Sequence, residues 1–147
     1  MSEIDRTPMA HQGESQDREV AVLEELMALE TAALDPYFGQ SDPSAYAAMF
    51  ADEATYFDPN SAGRLNGHAY KQHFVAFAGQ IPPLRYQILN PAVDLHGDTA
   101  VFTFNVEVVD PADGTVAALW NATEVRCRIH SGWEIVHAHW SYTEPGS

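Results

Sequence analysis

The C-terminal part of this chain constrains its fold more than any other feature. From residue 84 onward four long stretches are rich in β-branched and aromatic residues: 84–95, Thr99–Val109, Val116–Ile129 and 133–143. Between them lie His96-Gly97-Asp98, Asp110-Pro111-Ala112-Asp113-Gly114 and Ser131-Gly132. These are turn sequences, because Gly accepts positive φ and Asp bonds its own backbone. Such a series predicts an antiparallel meander. Along Thr99–Val109, Phe102, Phe104, Val106 and Val108 alternate with Thr103, Asn105 and Glu107. One face of the sheet is therefore apolar and has to be covered, while the other is mixed.

The first half of the chain supplies the cover. Residues 1–16 are polar, contain Pro8 and Gly13, and read as a loose tail in which His11 is incidental. From Asp17, Val20, Leu23, Met27 and Leu34 recur at helical spacing, with Glu19, Glu24, Glu25 and Glu30 mostly on other faces; Pro36 and Gly39 end this helix. Ser41-Asp42-Pro43 restarts a short helix over 45–50, since a capping side chain followed by Pro suits a helix N-terminus. A short strand at 54–58 stops at Pro59, a loop follows to Asn66, and a third helix over 67–77 presents Tyr70, Phe74 and Phe77. The expected architecture is a single α+β domain, residues 17–147, with three N-terminal helices gathered on one side of a curved, mostly antiparallel sheet.

Charge narrows the partners. The 147 residues hold 21 acids against 7 Lys and Arg, a net charge of −14. Nucleic acid and anionic membrane surfaces, both bound through basic residues, are not expected partners. One cysteine, Cys127, allows neither an internal disulfide nor a cysteine-built metal site. No apolar run approaches the ~20 residues of a spanning helix, and the start lacks a basic segment followed by an apolar one. A cytoplasmic location is the expectation.

Three groups are candidates for chemistry. Asp58 ends a strand beside Pro59, after Tyr56 and Phe57; an apolar setting would raise its basicity, whereas the plain alternative is a turn-capping Asp. Glu124 lies mid-strand, and a two-residue hairpin places it opposite His139 and Arg126 opposite His137, all on one face. That set is an acid–base cluster or a cross-strand charge ladder, and a β-bulge would reverse the facing over part of the hairpin. His137 and His139 have the spacing of a metal-binding pair but lack an evident third ligand. No metal or cofactor is expected, and no nucleophile motif or phosphate loop is present.

Two segments carry a resemblance. Residues 49–59, MFADEATYFDP, and 132–141, GWEIVHAHWS, taken with Thr123-Glu124-Val125, are similar to the nuclear transport factor two-like superfamily. They most resemble SnoaL-like proteins and the association domain of calcium/calmodulin-dependent protein kinase, and the likeness runs from about Leu23 to Ser141. It implies a cone-shaped fold enclosing a pocket. The first segment is also similar to ketosteroid isomerase, where an acid before Pro shuttles the proton; Asp58 stands at that position. The resemblance further implies a pocket lined by Tyr56, Phe74, Phe104, Val106 and Trp140, with Glu124 and His139 as further candidates on the hairpin. The isomerase's oxyanion-hole Tyr falls near Leu34, which has no donor, although Tyr37 is close; steroid isomerisation itself is therefore not expected. The function implied is binding of a small, partly apolar molecule, with or without cofactor-free isomerase, cyclase or dehydratase chemistry at Asp58. The alternative is a non-catalytic ligand-binding or homo-oligomerisation domain. Relatives commonly pair through the sheet, so a homodimer across the outer face, near Asn105, Glu107 and Arg126, is also implied.

Overall fold

A computed structural model describes residues 9–143. Helix α1 (Met9–Gly39) is followed by the short α2 (Ser44–Ala48), β1 (Phe50–Phe57), β2 (Leu65–Asn66) and α3 (His68–Phe77). The meander follows as β3 (Arg85–His96), β4 (Thr99–Val109), β5 (Val116–Ile129) and β6 (Gly132–Tyr142). The strands form one sheet in the order β2-β1-β6-β5-β4-β3, antiparallel except where β1 lies parallel to β6. The fold is α+β, with the N-terminal helices packed on a curved, open, mixed sheet.

The expected helix start at Asp17 is too late, since α1 is already helical at Met9; residues 1–8 of the expected tail lie outside the described residues. The buried stripe of α1 also differs from the expected one. It runs through Val22, Leu26, Glu30, Ala33 and Leu34, whereas Val20 is exposed. A buried acid interrupts the apolar spacing, so hydrophobicity alone selects a neighbouring face.

Pro36 sits inside α1, and the helix ends where Ser41 turns to a φ of 52°. The Ser41 hydroxyl then donates to the Phe77 carbonyl at 3.0 Å and accepts from the Ile81 N–H at 3.0 Å, tying the end of α1 to the end of α3. The second helix is shorter than expected because Phe50 already belongs to β1, pairing with Ile135.

Along β4 the alternation holds. Ala100, Phe102, Phe104, Val106 and Val108 are buried against the helices. Pro91 sits within β3, an edge strand, at a register shift between Leu89 and Ala92. A missing N–H is tolerated there because no further strand needs it.

The closing hairpin combines both expected facings. Ile129 pairs with Gly132, so the turn is His130-Ser131, one residue earlier than expected, with His130 at a φ of 58°. A register shift then lies between Val125 and Arg126. Beyond it Glu124 pairs with Ala138 and Val125 with His137. The bulge flips part of β6, so Trp140 joins Glu124 and Arg126 on the helix side while His137 and His139 turn outward.

Candidate functional site

Helices and sheet enclose a cavity of about 250 Å³. Its wall is contributed by the C-terminal end of α1 (Leu34, Tyr37, Phe38), Tyr46 of α2, Tyr56 of β1 and Phe77 of α3. Val108, Trp120, Trp140 and Tyr142 of the sheet close the other side. The chain forms a cavity here because its large aromatics meet edge to face. Tyr46, for example, stands T-shaped to Tyr37, Phe50, Phe74 and Trp140, with ring centroids 5.3–6.0 Å apart.

Asp58 and Asn60 line the cavity from the turn that follows β1. The Asp58 side chain is only 6% exposed. Its Oδ2 accepts hydrogen bonds from the Tyr56 hydroxyl at 2.9 Å and from His73 Nε2 at 2.7 Å, and its Oδ1 accepts the Asn60 N–H at 2.8 Å. The two expectations for Asp58 thus coexist: it caps the turn and also faces the cavity. His73 was not singled out from sequence as a partner for Asp58. A helical His has no local signal for the strand end it meets, and fifteen residues separate the two.

Behind the Tyr46 floor lies a buried charged network. Tyr46 donates to Glu124 Oε2 at 2.9 Å and accepts from Trp140 Nε1 at 2.8 Å. Arg126 donates to Glu124 Oε1 through Nε at 3.0 Å and Nη2 at 2.7 Å, and to Glu30 Oε1 at 2.9 Å. Glu30, Glu124 and Arg126 are all 0% exposed. Burial, followed by the adjacent Glu124 carboxylate, holds the Glu30 carboxyl well above its ordinary value despite Arg126. A protonated Glu30 leaves the Glu124–Arg126 pair balanced.

Because folded Glu30 keeps a proton that the unfolded chain has released, it makes stability fall as pH rises above the ordinary glutamate value of 4.5. The loss reaches at most about 1.4 kcal/mol per pH unit and ends at the folded pKa. Glu30→Gln should remove this slope, as urea melts from pH 4 to 8 would show. A slope unchanged from wild type would mean that Glu30 is ionised in the folded protein.

Burial, then the fields of Asp58 and Tyr142, push the Tyr37 hydroxyl up to about 12. Tyr46 and Tyr56 are also raised, in both cases first by burial. All three phenols keep their protons at neutral pH.

Of the residues expected at the pocket, Tyr56, Asp58 and Trp140 line the cavity. Phe74, Phe104 and Val106 do not; they are core residues behind the lining. Phe74 packs 4.9 Å from Tyr56, and Phe104 5.7 Å from Trp140. Glu124 lies behind Tyr46 rather than in the wall. His139 is exposed on the outer face, 5.2 Å from Phe57, because the bulge turned it outward. His137 also faces outward, with Thr55 Oγ1 2.7 Å from its Nδ1. Arg126 belongs to the inner face, which removes it from the expected outer interface. Leu34 and Tyr37 both reach the cavity, so Tyr37 supplies a hydroxyl where Leu34 has none. Among the described residues no three His, Cys, Asp or Glu side chains converge as a metal site, and no helix is long and apolar enough to cross a membrane.

The SnoaL-like domain model matches residues 15–145. The chain belongs to the SnoaL-like family.

Three solved structures show the company this SnoaL-like domain keeps. A provisionally assigned ketosteroid isomerase from Parabacteroides distasonis is 28% identical, with 82% of this chain and 86% of that one covered, at a TM-score of 0.68. An NTF2-like protein of unknown function from Pseudomonas putida is 23% identical, with 83% and 87% covered, at 0.72. The association domain of C. elegans CaMKII is 22% identical, with 85% and 98% covered, at 0.70. The last two establish the fold alone. No curated protein matches the chain.

Proposed function

We propose that the SnoaL-like cavity binds a small, partly apolar molecule and that Asp58 accepts a proton from it, in a cofactor-independent reaction of the isomerase, cyclase or dehydratase type. The observation that carries this reading is the carboxylate itself. It is nearly buried at the edge of an aromatic cavity and is held by three fixed donors, one of them an imidazole. Such a group is oriented before the ligand arrives, so little reorganisation opposes the reaction. His73 can pass a proton between Asp58 and the exterior, since its side chain is 14% exposed. The likeness to a provisionally assigned ketosteroid isomerase supports the same class of chemistry. A ligand screen followed by the fluorescence of Trp120 and Trp140 tests the binding. Ligands that bind yet leave that fluorescence unchanged would remove the cavity from the function.

A second reading, homo-oligomerisation through the outer sheet face, rests on what that face carries. Val101 pairs with Val125 and Thr103 with Thr123, and all four side chains point away from the helices. Val101, Val125, Leu119 and Cys127 are half-buried, with no helix over them among the described residues. Sedimentation at micromolar concentration should give at least a dimer, and Val125→Glu should shift it toward monomer. A wild-type monomer would sink this reading.

A further inference from the structure

The proposed binding role leaves the chemical class of the ligand open, and the polarity of the cavity speaks to it. Half of the sixteen lining residues are aromatic, and the one charged lining residue is Asp58. No Lys or Arg lines the cavity among the described residues. A carboxylate or phosphate ligand would thus lose its hydration beside a carboxylate, with no cation to compensate. The aromatic faces and the carboxylate instead favour positive charge, because a ring's quadrupole attracts cations and attracts them more strongly once water is excluded.

The fixed polar groups agree. Tyr46 has committed its only proton to Glu124 Oε2, and Trp140 Nε1 donates into its oxygen. It has no proton left to donate to a ligand. Asp58 Oδ1 accepts the Asn60 N–H and has room for a further donor. Asp58 is thus the acceptor, and the buried Glu124–Arg126 pair keeps the Tyr46 proton turned away. The overall charge of −14 concentrates cations around the molecule before they enter.

We infer that the cavity is a site for a small organic cation, an amine in its ammonium form carrying an apolar group, with its N–H donors on Asp58 and its carbon skeleton against the aromatic wall. This assignment rests on the binding role proposed above and adds the ligand's charge and donor pattern.

The test uses three probes of one shape: benzylamine, benzyl alcohol and benzoate. Each is titrated into the full chain at pH 7.5 and low salt, and followed by calorimetry. The ammonium should bind at least about tenfold tighter than the alcohol, with benzoate the weakest. In Asp58→Asn the preference for ammonium over alcohol should collapse towards unity while alcohol affinity is retained. Should that variant fail to fold, as circular dichroism would show, the wild-type ranking still decides. Equal or tighter binding of alcohol or benzoate by wild type overturns the cation assignment and leaves the ligand-binding role standing. An ammonium preference that survives in folded Asp58→Asn overturns the placement of the charge. Absence of binding by all three at millimolar concentration overturns the assignment, and the ligand-binding role fails with it only if the wider screen also finds no cavity ligand.

Discussion

Arg126→Ala should destabilise the protein by about 3–5 kcal/mol, read as a lowered urea midpoint with an unchanged slope at neutral pH. The side chain is 0% exposed and supplies three hydrogen bonds to carboxylates, two to Glu124 and one to Glu30. Its removal strands Glu124 in an apolar interior, where a lone carboxylate must either take up a proton or draw in water. Arg126→Met combined with Glu124→Gln should be milder than Arg126→Ala, because no unpaired charge is then left. A loss below about 1 kcal/mol for Arg126→Ala would mean that the network is hydrated rather than dry. The consequence reaches the cavity, since the Tyr46 hydroxyl takes its orientation from Glu124.

Asp58→Asn should lower kcat/KM about 10²–10⁴-fold for whatever substrate the screen delivers, while leaving the fold intact. The amide oxygen can take the Oδ2 position and still accept from Tyr56 and His73, while the bond from the Asn60 N–H to Oδ1 is lost. What is lost is the capacity to take a proton. The pH–rate profile should change with it. An alkaline limb below pH 10 cannot come from Tyr37, which burial has pushed up to about 12. His73→Gln should reduce the rate less than Asp58→Asn, because its role is to position and relieve the carboxylate. Retained turnover and an unchanged profile in Asp58→Asn would remove Asp58 from the mechanism.

Much of this was legible in the linear order of residues. Strand alternation in Thr99–Val109 placed Phe102, Phe104, Val106 and Val108 on the core side, because a period of two is a local property of the extended chain. The turn residues delimited the strands to within a residue or so for the same reason. Asp58 was visible because the Tyr56-Phe57-Asp58-Pro59 segment is contiguous. Less local facts were not visible. Glu30 read as a solvent-facing acid, since nothing in α1 announces the Arg126 that reaches it across 96 positions. His139 read as a neighbour of Glu124 because a one-residue bulge leaves no trace in composition yet reverses every side chain beyond it.

The closing strands show where that boundary runs. The amino-acid order by itself determined that β5 and β6 would form a long hairpin closing the meander. Backbone period and turn chemistry act over a few residues and suffice for that. Only the tertiary structure decided which side chains share each face. It set Trp140 beside Tyr46, buried Glu124 with Arg126, turned His137 and His139 outward, and brought His73 to Asp58. Those outcomes depend on register, helix placement and the balance of buried charge, which are fixed only when distant segments meet.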